Sequence, residues 1–421
     1  MSGALALPGG RWVLPGNRAD LLDDVHPQEP PEVSVVVPHY RQQAQLDLVL
    51  TGLAHQTHPR SRLQVLVVDD GSPVRPAVHP AAAGLDVRVL AQDDRGFRAA
   101  AARNLGAAAA DGEVLCFLDA DTVPEPGYVA RASRLPALAP DALVTGRRRH
   151  ADLTGWTPAG LLRWFGDGPG PTELEEPSWL AALSAGLAHA DDGSYRAVIS
   201  AVMTCSRELF TEVGGFDETF TSYGGEDWEL AHRMWTAGAV LAHERSAVAW
   251  HDGPDWAGRP DDRATAVAQK AAETRAVARR VPVARAGPAW FPWPEVVLRA
   301  PGSDPAAAVR VALASGLDVG VWTEVDLGWS DVRVHTGEVP QVVLERARVV
   351  VDGVPPTPLH AAVELVRPGT VGALRWPGGQ VRATRALRRA RRHAPALGLG
   401  EDAALGALFG VTDTAPSGAR G

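Results

Sequence analysis

Two cysteines are all that 421 residues contain. Cys116 and Cys205 both sit in apolar runs, so they read as buried thiols in a reducing compartment. So small a number leaves no disulfide framework or thiolate zinc site. No apolar run approaches the length of a membrane span. The start of the chain lacks the basic region of a secretory signal. Lysine is nearly missing: Lys270 is the single one, and arginine carries the positive charge. The net charge of −9 argues against nucleic acid as the main partner. No Gly-x-Gly-x-x-Gly follows a strand and no Walker loop is present, so neither dinucleotide oxidation nor ATP hydrolysis is supported.

What is present is an ordinary globular composition, 45% hydrophobic and 22% charged, long enough for two domains. Tryptophan is frequent at 13. Core packing is the default reading of these rings, and sugar stacking the sharper one for some of them. Residues 1–31 are Pro- and Gly-rich and read as an extended arm. Val33–Pro38, Leu63–Val68, Val87–Ala91 and Val114–Leu118 are β-branched apolar runs of strand length. Gln45–His55 and the alanine-rich Phe97–Ala110 between them read as helices. Strands alternating with helices predict βαβ units and a mostly parallel sheet. The pattern weakens after Asp141, with a loop-like Gly166–Pro171. It resumes with a strand at Val198–Cys205, helices at Gly225–Ala237 and Thr265–Arg280, and a strand end at Val248–His251. A Pro-rich linker, 282–294, separates the domain at 32–281 from a smaller α/β domain at 295–410, with a flexible tail at 411–421. The basic cluster Arg382–Arg392 reads as a solvated helix face.

The chemistry gathers at predicted strand ends. Phe117-Leu118 runs into Asp119-Ala120-Asp121. Residues i and i+2 of an extended chain point to one side, so both carboxylates can converge on one ligand. Magnesium favours one or two carboxylates plus substrate phosphates. Pro38-His39-Tyr40 follows the first strand, Asp69-Asp70-Gly71-Ser72 the second, and Arg103 lies in the helix before the fourth. In a parallel sheet these ends share one edge, where open α/β sheets bind ligands. Any one of them is a turn or cap; together they describe a nucleotide site whose phosphates rely on a metal.

A second cluster, Gly214-Gly215-Phe216-Asp217-Glu218 then Gly224-Gly225-Glu226-Asp227-Trp228, opens a helix on two carboxylates. Acidic residues suit a helix start for dipole reasons alone. The functional reading is a general base, since an unperturbed Asp with a pKa of about 3.9 is ionised at neutral pH. Glycines before it let a substrate approach the backbone. Trp250-His251-Asp252-Gly253 places a histidine at a strand end, usually a structural position; its imidazole also suits a divalent metal, for which Asp121 could be the partner carboxylate.

These blocks, in this order from Val33 to His251, resemble the family 2 glycosyltransferases of the GT-A fold. Gly-Gly-Phe-Asp, Glu-Asp and the histidine resemble the branch that shares a C-terminal segment with galactosyl- and N-acetylgalactosaminyltransferases. The resemblance implies a mixed, mostly parallel α/β sheet flanked by helices. It implies that Pro38 and Tyr40 line a base pocket and Asp70 binds the base. Arg103 would meet the diphosphate or brace the Asp-x-Asp loop, Asp119 would contact ribose, and Asp121 with His251 would hold Mg²⁺ or Mn²⁺. Asp227 would be the base of an inverting transfer from a nucleotide-sugar, most simply a UDP-sugar, with Glu226 on a sugar. Tyr223, Gly225 and Trp228 would face the acceptor hydroxyl, borne by a glycan, a lipid-linked saccharide, a peptide or a natural product. Gly166–Pro171 is a candidate lid. Arg41 departs from the family, which often has Asn or Glu there. A cytoplasmic location is expected, and peripheral membrane contact stays open. The rival readings are a non-catalytic carbohydrate- or partner-binding scaffold of the same fold and a nucleotidyltransferase.

Overall fold

The computed structural model describes residues 3–254, 263–282, 293–300 and 304–413. A short hairpin comes first, β1 (Leu5–Leu7) with β2 (Arg11–Val13). The main sheet contains β3 (Val33–His39), β4 (Leu63–Asp69), β5 (Asp86–Ala91), β6 (Val114–Leu118) and β7 (Thr122–Pro124). It is completed by β8 (Ala142–Asp152), β9 (Thr172–Leu174), β10 (Val202–Ser206) and β11 (Val240–Asp252). The order is β5-β4-β3-β6-β10-β8-β11-β7, with β9 on β8. The first four are parallel, and β10 is antiparallel to both its neighbours. The mostly parallel mixed sheet expected from the sequence is present.

Val35, Val36, Val37, Leu66, Val67 and Phe117 are fully buried. Covering such side chains contributes about 1.5–3 kcal/mol each. The helix Ala99–Ala108 lies very close to this sheet. A Cβ on its Gly106 would come within 2.4 Å of Val36 Cγ1, so only glycine permits the approach. Arg103, three residues earlier on the same helix face, is thereby brought to the strand ends.

Three expectations shift. The strand expected from Val198 begins at Val202, and residues 199–201 are released toward the cavity below. The strand seen only at its end runs 13 residues, with polar Glu244-Arg245-Ser246 masking a register shift between Glu244 and Val248. Residues 3–31 are not a free arm. After the hairpin, Leu14 and Leu22 are buried, and buried Asn17 donates to the carbonyls of Leu187 and Leu241 and accepts from the Leu241 amide.

The second sheet holds β12 (Val296–Ala300), β13 (Val319–Thr323), β14 (Val334–Thr336), β15 (Val349–Asp352), β16 (Val371–Trp376), β17 (Gly379–Ala383) and β18 (Gly410–Asp413). Its order is β14-β13-β12-β15-β17-β16-β18, so the chain is paired past residue 410, where a tail was expected. Most of the Pro-rich linker, residues 283–292, and the tail from 414 lie outside the described residues.

The basic helix, Thr384–Leu397, is not a solvated face. Arg389 is fully buried and donates to the carbonyls of Gly238, Leu14 and Gly16, while buried Arg385 reaches those of Gly369 and Gly16. Its Arg392 and His393 hold Asp141 of the first domain at 2.7 and 2.5 Å. Arginine stems and forked donors satisfy backbone carbonyls at a domain junction, which charge counting along the sequence does not reveal.

Candidate active site

A cavity of about 790 Å³ opens at the carboxyl ends of β3, β4 and β6. It gathers Pro38, Tyr40, Asp70, Arg103, Asp119, Asp121, Tyr223, Gly225, Glu226, Asp227 and Trp228 in its lining. His251 and the Gly166–Pro171 loop, also singled out in the sequence, do not line it.

The floor is fixed by buried polar pairs. His39 ends β3 opposite Asp69 of β4 in register, and its Nδ1 lies 3.1 Å from Asp69 Oδ1. The Gln42 amide donates to His39 Nε2 at 3.2 Å, which makes Nδ1 the protonated nitrogen. Asp69 Oδ2 accepts from the Ser72 amide, and Ser72 Oγ accepts from the Arg41 amide at 2.9 Å. Arg41 holds φ 57°, left-handed for a non-glycine residue, with its guanidinium 4.7 Å over the Tyr40 ring. This places Tyr40, 38% exposed, at the cavity mouth. Asp70 accepts from Gln92 Nε2 at 2.6 Å and from the Arg98 amide at 2.9 Å. Gly71 follows it at φ 80°, where a Cβ would stand 2.3 Å from the Asp94 nitrogen.

Arg103 is the hub. Buried beneath the cavity, it donates to Asp119 Oδ1 at 2.8 Å and to Glu226 Oε1 at 3.0 Å. It therefore ties the Asp-x-Asp turn to the helix Glu226–Thr236. Its neighbour Asn104 clamps the Gly-Gly-Phe-Asp turn, donating to the Phe216 carbonyl and accepting from the Phe216 amide. Gly215 is needed there, since a Cβ would meet Asn104 Oδ1 at 2.6 Å. That motif is thus fastened to the helix Ala99–Ala108.

Gly224 and Gly225 precede the helix at φ 89° and 96°. A Cβ on Gly225 would meet Val277 Cγ2 at 2.7 Å. Asp227 accepts from its neighbour's Trp228 amide at 2.8 Å and from the Ser200 amide at 3.4 Å. Burial first, then the Glu226 carboxylate, push Asp227 up to about 7, against a partial opposing pull from Arg103. The sequence reading started from an ordinary carboxylate value; in the structure burial and Glu226 raise Asp227 toward neutral pH.

Burial, then Asp119, likewise raise Asp121 to about 6. Two crowded carboxylates in a cavity wall make a donor set that fits a hard divalent cation sharing oxygen ligands with a diphosphate. His251 pairs in register with Thr122, beside Asp121, and stacks on His150 at 5.0 Å. No group of three His, Cys, Asp or Glu side chains that could hold a metal occurs among the described residues. The Gly166–Pro171 loop does not line the cavity.

Sequence reasoning missed Phe97, Arg148, Lys270 and Glu273, which also line the cavity, as does Trp179, one of the tryptophans for which sugar stacking was the sharper reading. Phe97 packs on Tyr223 at 6.1 Å. Arg148 opposes the rise at Asp121. It lies in Arg147-Arg148-Arg149, where strand alternation turns the middle residue away from its neighbours.

A model described as glycosyl transferase family 2 matches residues 34–174, and one described as the N-terminal domain of galactosyltransferase matches residues 184–246. Validoxylamine A glucosyltransferase of Streptomyces hygroscopicus subsp. limoneus is 32% identical over 247 residues, covering 52% of this chain and 51% of that protein. Pre-mycofactocin glycosyltransferase of Mycobacterium tuberculosis is 30% identical over 267 residues, covering 58% and 52%. Hyaluronan synthase of Pasteurella multocida is 26% identical over 249 residues, covering 55% and 25%. The chain thus spans about half the length of the two glycosyltransferases and a quarter of the synthase.

Proposed function

We propose that the protein transfers a sugar, with inversion, from a nucleoside diphosphate to an acceptor hydroxyl, a reading supported by the match of residues 34–174 to the model described as glycosyl transferase family 2. The observation that carries this reading is the meeting in one cavity of Asp70, Arg103, Asp119, Asp121, Glu226 and Asp227. UDP is the nucleotide suggested by the resemblance.

Tyr40 and Pro38 flank the base, and Asp70 offers its remaining acceptor capacity to it. Asp119 faces the ribose, its position held by Arg103. Asp121, with His251 on the neighbouring strand, would hold Mg²⁺ or Mn²⁺. Such an ion, when bound, neutralises charge on the departing diphosphate as a Lewis acid. Arg103 and Arg148 add fixed positive charge around the same region. Asp227 takes the proton from the acceptor hydroxyl as that oxygen attacks the anomeric carbon. Attack opposite the leaving group inverts the centre. Glu226, fixed by Arg103, keeps Asp227 basic by charge repulsion and orients a sugar hydroxyl.

The acceptor hydroxyl enters from the side of Tyr223, Gly225 and Trp228. Two of the relatives are named for single compounds, validoxylamine A and pre-mycofactocin, and one for a polymer, hyaluronan. No helix among the described residues is long and apolar enough to cross a membrane. The test is nucleoside-diphosphate release with UDP-sugars and an acceptor panel, on wild type and Asp227→Asn. The substitution should lower turnover about 10²–10⁴-fold, the usual worth of a general base. Unchanged turnover in the variant would remove Asp227 from the mechanism.

A further inference from the structure

The acceptor side of the cavity carries a wall from outside both family matches. Trp179 falls between them, and the helix Arg263–Ala278 lies beyond the second. From that helix Lys270 and Glu273 enter the cavity lining. Lys270, the single lysine of the chain, has its Nζ 2.7 Å from Glu273 Oε1 and 5.0 Å from the centre of the Trp228 ring. Trp179 meets Trp228 edge to face at 6.4 Å. A Cβ on Gly224 would come within 2.9 Å of Glu273 Oε2, so this carboxylate rests against the glycine turn that leads to Asp227.

We propose that Trp228, Trp179, Lys270 and Glu273 form the acceptor subsite, and that it selects a polyhydroxylated ring carrying no negative charge. The inference rests on the glycosyl-transfer reading above and names the substrate class of that site. Three features converge on it. An indole face takes the apolar face of a sugar or cyclitol ring. A cationic donor and an anionic acceptor 2.7 Å apart suit neighbouring hydroxyls, each of which can give and receive a hydrogen bond. Finally, Asp227 and Glu273 border this end of the cavity, and the charge of Lys270 is already matched by Glu273. A carboxylate on the acceptor would therefore meet uncompensated repulsion.

The test uses the full chain saturated with UDP and Mn²⁺. Three probes are titrated by saturation-transfer NMR and tryptophan fluorescence: methyl β-glucoside, glucosamine and glucuronate. Methyl glucoside and glucosamine should bind, and glucuronate at least tenfold more weakly. Lys270→Met and Glu273→Gln should each weaken methyl glucoside about tenfold, and Glu273→Gln should also narrow the discrimination against glucuronate. UDP affinity in both variants should stay within threefold of wild type, which separates loss of the subsite from misfolding. Equal binding of glucuronate, wild-type affinity in both variants, or no probe binding to UDP-loaded protein would each overturn the subsite and leave the nucleotide site standing. Failure of UDP itself to bind would overturn the parent reading, and the subsite with it.

Discussion

Replacing Arg103 with Met should test how the Asp-x-Asp turn and the helix Glu226–Thr236 are joined. Arg103 and Glu226 are both buried, 3.0 Å apart, and Arg103 also holds Asp119 at 2.8 Å. Methionine keeps most of the volume but leaves Glu226 as a buried carboxylate without its cation. Breaking a buried pair from one side costs about 3–5 kcal/mol. For a domain of this size about 1 kcal/mol moves the melting temperature by ~2–4 °C, so a drop on the order of 10 °C is expected. Arg103→Met combined with Glu226→Gln should recover a large part of that loss, because no buried charge is then stranded. Urea unfolding followed by tryptophan fluorescence on wild type, both single variants and the double variant completes the cycle. A single Arg103→Met variant within about 0.5 kcal/mol of wild type would refute the argument, since surface changes fall in that range. So would a double variant less stable than either single one.

Other consequences follow from the same geometry. Asp227 is raised to about 7, so its basic form grows as pH rises. The rate should climb about tenfold per pH unit below 7 and level off above it, and Asp227→Asn should flatten that limb. At Gly225, φ 96° and the 2.7 Å approach to Val277 leave no room for a Cβ. Gly225→Ala should cost about 1–3 kcal/mol and raise the acceptor KM, seen in paired unfolding and initial-rate measurements. Asp141 is held down to about 2, burial opposing, by its hydrogen bond to His393 and the charges of Arg392, His393 and Arg389. A depressed folded value means its stabilisation is present above the ordinary carboxylate value and lost as pH falls from about 4 to 2. Asp141→Asn should lower stability at pH 7 by a few kcal/mol, roughly, and remove that acid limb, read from melting temperatures across the pH range.

The sequence made the first domain legible because its parallel strands are continuous apolar runs that end in polar turns. Asp70, Asp119 and Asp121 needed only the rule that strand ends share an edge. Glu226 and Asp227 needed a glycine pair before a helix. What stayed hidden depends on tertiary contact. Arg103 was visible as a candidate, but not its grip on both Asp119, 16 positions away, and Glu226, 123 positions away. The raised value at Asp227 comes from burial and Glu226, which no spacing displays. Lys270 and Glu273 enter from a helix with no motif of its own. The helix Thr384–Leu397 misled because a run of arginines resembles a solvated face until the carbonyls of residues 14, 16 and 238 are placed around it. His251, a metal ligand only by the family resemblance, lies beside Asp121 by register, outside the cavity lining.

The most direct test of the central claim is a calorimetric titration of UDP with and without Mn²⁺, on wild type and Asp121→Ala. The account predicts metal-dependent binding that the substitution abolishes. Equal UDP affinity in the two proteins, or no UDP binding under any condition, would contradict it.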